Sequence, residues 1–100
     1  TPDELQKRTK AFSLRVIKLV AALPADMVAR EIGRQLVRSG MSVSANYRAA
    51  RRARSKREFV AKIGIVAEES DETAHWIDLL KDSGLVSVTG SSHYIARLMN

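Results

Sequence analysis

The stretch QLVRSGMSVSANYRAARRARSKREF, residues 35–59, decides the fold and carries the main functional signal. Small residues recur at helical spacing in and just before its first half, at Gly33, Gly40 and Ser44. If this segment is helical, these positions let a neighbouring helix approach closely. Beyond Tyr47 the side chains become long and cationic. The stretch therefore predicts a helix-packing seam that leads into a charged surface.

The residues before Gln35 predict one complete helix and the start of a second. Residues 1–4 read as an N-terminal capping signal, with a threonine cap, a proline at the first helical position and a glutamate at the third. Apolar residues then recur every three or four positions until Pro24, which is expected to end the helix. Asp26 is a suitable cap for a second helix over about residues 27–53.

The residues after Arg54 predict a long third helix and a short fourth one. Ser55 and Glu58 form a capping box, and the apolar period continues until Gly84, a typical helix stop. A further amphipathic run begins at Tyr94, close to the end of the sequence. We therefore expect a single all-α domain over residues 1–100. Its predicted architecture is an up-and-down antiparallel four-helix bundle with a short or truncated fourth helix.

Composition excludes several classes of protein. The 100 residues include no cysteine, so no disulfide or cysteine-ligated metal holds the fold. No apolar run approaches the roughly 20 residues that are needed to span a bilayer. We expect a soluble, cytoplasmic protein that does not contact a membrane.

The charge is strongly basic and unevenly distributed. Seventeen Lys and Arg against 11 Asp and Glu give a formal net charge of +6, which favours anionic partners. Residues 26–54 carry +5, whereas residues 55–84 carry −3. Two consecutive segments of opposite charge imply either internal ion pairing or two separate contact surfaces.

Three spacings in the quoted stretch resemble a known family. They are Gln-Leu-x-Arg-Ser, Ser-x-x-Asn and Arg-x-Arg-Ser-x-x-x-Phe, carried by Gln35, Leu36, Arg38, Ser39, Ser42, Asn46, Arg52, Arg54, Ser55 and Phe59. The chain resembles the bacterial four-helix-bundle proteins encoded in intervening sequences of 23S ribosomal RNA genes. It also looks like the accessory protein of diversity-generating retroelements, which works with a reverse transcriptase and nucleic acid. The resemblance implies a homopentamer with no established enzymatic activity.

The candidate nucleic-acid-binding residues form one basic cluster. Guanidinium groups bind phosphate bidentately, and we expect helix positions 48, 51 and 52 to share a face. The alternative is a solvated face, or pairing with the acidic run at residues 68–72. No aromatic residue interrupts the cluster, so base stacking is not indicated. The cluster consists of Arg48, Arg51, Arg52, Arg54, Lys56 and Arg57.

Asn46 is a candidate structural polar residue. It lies one helical turn from Val43 and Ala50, where a buried amide must find hydrogen-bond partners. We interpret it as a residue that fixes helix register; the alternative is a contact to a ligand.

No catalytic, metal or cofactor site is predicted. Glu72 and His75 have the Glu-x-x-His spacing of di-metal bundles, but the further inward carboxylates that such a site needs are missing. The serines lack a nearby histidine base. We therefore expect a non-enzymatic oligomer that binds RNA or DNA through its basic face. The alternative is a structural or protein-adaptor bundle whose arginines pair across subunits.

Overall fold

The computed structural model describes residues 1–86, which form three helices and no strand. They are α1 (Pro2–Ala21), α2 (Met27–Arg51) and α3 (Lys56–Asp82). The predicted all-α class is confirmed. The predicted fourth helix falls in residues 87–100, outside the described part of the chain. None of the three helices is long and apolar enough to cross a bilayer.

The central helix is α2, which packs antiparallel against α1 on one side and α3 on the other. Within the described residues, α1 and α3 do not approach each other closely. The antiparallel directions follow from which ends of the helices meet. Near the C-terminus of α2, the Tyr47 hydroxyl donates to the carbonyl of Pro2, the first residue of α1, at 3.3 Å. Near the N-terminus of α2, Ile32 shares the core with Leu80, which is close to the end of α3.

The predicted caps of α1 and α2 are present, although α1 ends earlier than expected. The capping box of Thr1 and Glu4 forms, and both the Val28 and Ala29 amides donate to Asp26 Oδ2 at 2.9 Å. α1 stops at Ala21 rather than at Pro24. The reason is local: proline disfavours the helical conformation of the residue before it, so the last turn tightens ahead of it.

The start and stop of α3 also follow the sequence signals. Ser55 Oγ accepts a hydrogen bond from the Glu58 amide at 3.0 Å. The Glu58 carboxylate accepts from the Arg54 amide at 3.2 Å, one residue before the position that a standard capping box uses. α3 ends at Asp82, and Gly84 follows with φ at +75°, a conformation that glycine adopts without steric cost.

The hydrophobic core lies at one end of the bundle, where the N-terminal half of α2 packs against the C-terminal halves of α1 and α3. Apolar residues of all three helices form it: Val16, Leu19, Ile32, Leu36, Ile77 and Leu80. The predicted apolar face of α3 is therefore correct at Ile77 and Leu80. At the other end of α3, Phe59 stays 43% exposed.

The small residues of α2 form the predicted seam against α1. A Cβ atom on Gly40 would lie only 2.7 Å from Val16 Cγ1, so no larger residue fits without movement. The close approach lets Ser13 Oγ of α1 donate to the Gly40 carbonyl at 2.7 Å. It also places Ser13 Oγ 2.6 Å from Ser44 Oγ. This α1–α2 seam (Ser13, Val16, Gly40 and Ser44) joins the two helices through both packing and hydrogen bonds.

Candidate nucleic-acid interface

A basic groove lies where α2 turns into α3. Arg48 and Arg52 line it from the end of α2, Arg54 from the turn, and Lys62 from the second turn of α3. Its volume is about 530 Å³. We call these four cations, with Ala45, Ala49 and Glu58, the junction groove.

Helix geometry explains why these cations converge. Arg48 and Arg52 are four residues apart and so follow one another on one side of α2, next to Ala45 and Ala49. The small alanines leave the space between the arginines open. The turn of residues 52–55 is short, which brings Lys62 of α3 back to the same side.

The helix dipoles contribute little net field at this place. The C-terminus of α2 and the N-terminus of α3 meet at the junction, and their partial charges have opposite signs. The positive potential of the junction groove therefore comes from its side chains.

Arg51 points away from the groove, contrary to the expectation that positions 48, 51 and 52 share a face. Its guanidinium pairs with Asp3 of α1 at 2.9 Å and donates to Gln6 Oε1 of the same helix. The expectation holds for Arg48 and Arg52, which line one groove. Arg51 lies on a different side of α2, which faces α1.

Lys56 and Arg57 lie beside the groove rather than in it. Both are exposed in the first turn of α3. Within residues 1–86, neither makes an ion pair, and the same holds for Arg48, Arg52, Arg54 and Lys62. Five of the six predicted cations are thus exposed and have no carboxylate partner in the described part of the chain.

Glu58 is the one acidic residue among those that line the junction groove. Its carboxylate accepts the Arg54 amide hydrogen bond, which holds it near the arginines. It makes no ion pair with them in the described residues. Its charge subtracts from the positive potential at this point of the surface.

The acidic run of α3 pairs with Arg38, a residue that the sequence interpretation did not assign to it. Arg38 of α2 lies 3.4 Å from Glu69 and contacts Glu72 more closely. The hydrogen bond from Arg38 lowers the pKa of Glu72, and the indole Nε1 of Trp76, 3.3 Å away, acts in the same direction. Which cation pairs with the acidic run depends on how α2 and α3 align. The spacing of residues along the sequence does not reveal that alignment.

The remaining acids of this half of α3 face solvent. Glu68, Asp71, Asp78 and Asp82 are exposed and make no ion pair within residues 1–86. The described part of the molecule therefore has a basic end at the junction groove and an acidic outer face on α3.

Asn46 is half-buried and bonds within its own helix. Its Nδ2 donates to the Ser42 carbonyl at 2.9 Å and to Ser42 Oγ at 2.7 Å. These are bonds between residues four apart on α2, so they do not by themselves set the register between helices. A buried polar contact between α2 and α3 is instead made by Ser39 and Thr73, whose hydroxyl oxygens are 2.8 Å apart. Both residues are fully buried.

The Glu72 to His75 spacing does not gather a metal site in the described residues. No group of three or more His, Cys, Asp or Glu side chains in residues 1–86 is placed to hold a metal ion. The Glu72 carboxylate is engaged by Arg38 and Trp76. The His75 ring instead packs edge-on against that of Trp76, with centroids 5.0 Å apart.

The fold and the groove together define a basic, all-α helical bundle protein with no membrane-spanning helix in its described part. The chain belongs to the 23S rRNA-intervening sequence protein family, whose sequence model matches residues 3–99.

One solved structure is very similar in fold. It is a protein of unknown function from the S23 ribosomal protein family of Bacteroides thetaiotaomicron, at 24% sequence identity and a TM-score of 0.83. The match covers 98% of this chain and 88% of that one. A comparison with curated proteins finds no match. Since the sequence identity is low, the likeness concerns the fold alone.

Proposed function

We propose that this protein is a non-enzymatic helical bundle that binds nucleic acid through the junction groove. The observation that carries the proposal is the convergence of Arg48, Arg52, Arg54 and Lys62 on one open groove without an ion pair in residues 1–86. Arginine and lysine are the residues that proteins use to contact phosphate backbones. Membership of a family named for ribosomal RNA intervening sequences supports the same kind of partner.

The pairing of other arginines supports this choice of surface. Arg38 and Arg51 are held by carboxylates of neighbouring helices, so their charges contribute to the fold. The groove cations have no such partner among the described residues and remain available to an external anion. Surface charges without a partner cost little to keep exposed, and several of one sign together raise the local potential.

We also propose that the chain assembles as a homopentamer. Leu14 and Ile17 on α1, together with Leu79 on α3, are between 42% and 48% exposed. Contact between copies would remove these apolar side chains from water. In a closed ring, the junction groove of every subunit repeats around the assembly, so weak phosphate contacts add up.

The binding test is a salt titration with labelled DNA and RNA. If the four groove cations contact four phosphates, the logarithm of the affinity should fall with the logarithm of salt concentration at a slope of about −3.6 on duplex DNA. Arg48→Gln with Arg52→Gln should reduce that slope by about 1.8. A wild-type affinity that does not change with salt would contradict the proposal.

The matched control is Arg30→Gln with Arg34→Gln. This pair removes the same charge from the same helix, but both arginines are exposed at the opposite end of α2. It should leave the slope close to that of the wild type. If both double variants lose affinity equally, net charge and not the groove explains the binding.

The acidic outer face of α3 favours a second candidate function, a structural or adaptor bundle. Glu68, Asp71 and Asp78 could pair with the groove arginines of a neighbouring copy. In that case Arg48→Gln with Arg52→Gln would lower the mass that light scattering measures, from the 55.5 kDa of a pentamer of 11.1 kDa chains. Under the nucleic-acid proposal the same variant keeps its mass and loses its ligand.

A further inference from the structure

The described residues that line the junction groove offer charge but no aromatic ring on which a base could stack. Besides its four cations and Glu58, the groove is lined by the methyl groups of Ala45 and Ala49. Proteins that bind single strands combine a basic groove with aromatic side chains that stack on successive bases. Among residues 1–86, none that lines this groove is aromatic.

The four aromatic residues in residues 1–86 are placed elsewhere. Tyr47 is 6% exposed and donates to the Pro2 carbonyl, and Phe12 and Trp76 pack against the core. Phe59 is near the junction in sequence, but it lines a different cavity together with Leu5 and Tyr47. No Phe, Tyr or Trp ring of the described chain therefore lines the groove.

The electrostatics favour the nucleic acid with the higher density of phosphates. Arg48 and Arg52 are separated by about 6 Å along the axis of α2, at a rise of about 1.5 Å per residue. Duplex DNA presents one negative charge for about every 1.7 Å of its axis, twice the density of one strand alone. Counterion release per phosphate is also greater, with salt slopes of about −0.9 for duplexes and −0.7 for single strands.

On this basis, and resting on the proposed function, we infer that the junction groove is selective for the backbone of double-stranded nucleic acid over single strands. The ligand chemistry is a pair of closely spaced phosphodiester chains. Both duplex RNA and duplex DNA have it, so both belong in the test.

The test measures binding of the full chain to a 20-base-pair duplex and to an unstructured oligothymidylate of 20 nucleotides at the same salt concentration. Fluorescence anisotropy is a suitable readout. We expect the duplex to bind about tenfold more tightly, with a slope of about −3.6 against about −2.8 for the single strand. Equal or tighter binding of the single strand would overturn the inference while leaving the proposed function intact.

Two variants show whether the groove causes the selectivity. Arg48→Gln with Arg52→Gln should reduce the difference in affinity between the duplex and the single strand. The reason is that it removes two of the positive charges that contact phosphates. Phe59→Ala should leave both affinities unchanged, and a loss of single-strand binding in this variant would show that bases stack on Phe59, against the inference.

Running duplex RNA and duplex DNA of the same sequence side by side identifies the source of the ligand. Tighter binding of either duplex than of its own separated strands supports the inference. If neither duplex nor single strand binds in a salt-dependent way, the proposed function fails together with this inference.

Discussion

The α1–α2 seam and the junction groove lie on the same helix but use its surface in opposite ways. At the seam, Gly40 lets α1 approach until Val16 fills the available space, and Ser13 bonds directly to the α2 backbone. At the groove, Ala45 and Ala49 are also small, but the space beside them is an open groove lined by arginines. Small residues thus permit close approach in both regions. In the seam the approaching group is α1; at the groove it is the proposed ligand.

The largest expected effect comes from filling the seam, with a glycine outside it as the control. Gly40→Ala and Gly64→Ala both gain about 1 kcal/mol of helix propensity. A Cβ at Gly40 would meet Val16, whereas one at Gly64 would have no neighbouring atom of residues 1–86 within 4 Å. Crowding should therefore make Gly40→Ala less stable than Gly64→Ala by about 1–3 kcal/mol.

Urea unfolding followed by circular dichroism measures both free energies. Equal stabilities for the two alanine variants would mean that α1 shifts freely away from α2. The α1–α2 seam would then not be tightly packed, and it would no longer differ from the junction groove in how closely its neighbour approaches.

The next effect concerns the buried hydroxyl pair on the other side of α2. Thr73→Val keeps the shape of the side chain but leaves the buried Ser39 hydroxyl without its partner on α3. We expect a loss of about 1–3 kcal/mol in the free energy of unfolding.

Adding Ser39→Ala to Thr73→Val should recover part of this loss, because no buried hydroxyl is then left without a partner. A double-mutant cycle with urea unfolding gives the coupling energy, for which we expect about 0.5–1.5 kcal/mol. A coupling energy of zero would show that the two hydroxyl groups do not depend on each other.

A smaller effect is expected from the acidic residue of the groove. Glu58→Gln keeps an oxygen that can accept the Arg54 amide hydrogen bond but removes the negative charge. For a phosphate about 6 Å away in water, the lost repulsion is about 0.7 kcal/mol, or about threefold in affinity.

Asp71→Asn is the control for that variant. It makes the same charge change on an exposed part of α3 outside the groove. Duplex binding by fluorescence anisotropy should strengthen with Glu58→Gln and stay nearly constant with Asp71→Asn. If Glu58→Gln does not change affinity, the ligand does not enter the groove.

The smallest effect is a pH dependence of the ion pair between α2 and α3. The pKa of Glu72 in the folded protein is lowered, chiefly by the hydrogen bond from Arg38. The pair therefore stabilises the fold above the unfolded-state pKa of glutamate, and this stabilisation is lost as the pH falls through the lower folded-state value. Because the pair is solvent-exposed, we expect only a slight change.

Acid titration of the wild type and of Glu72→Gln, followed by circular dichroism, measures this difference. The stability of the wild type should fall more steeply below about pH 4.5 than that of the variant, because only the wild type has a carboxylate to protonate at position 72. Parallel curves would show that the contact with Arg38 contributes nothing in solution.

Much of the fold could be predicted because its signals are local. The caps at Thr1, Asp26 and Ser55 were read from side chains that bond to amides two or three residues later. The seam glycine Gly40 was recognised from helical spacing, and the stop at Gly84 from the conformational freedom of glycine. Each of these features depends on atoms within one or two helical turns.

The sequence by itself determined that this chain forms capped helices, that α2 has a close-packing face, and that a basic run follows it. Only the tertiary structure decided which arginines are used by the fold. It directed Arg51 to α1, matched Arg38 with the acids of α3, and left Arg48, Arg52 and Arg54 on one groove. It also showed that Asn46 bonds within α2, whereas Ser39 and Thr73 make a buried polar contact between α2 and α3. The reason is that helical periodicity fixes the direction of each side chain around its own axis. Which neighbour stands in that direction depends on how whole helices align, and that alignment is set by the packing of residues far apart in the chain.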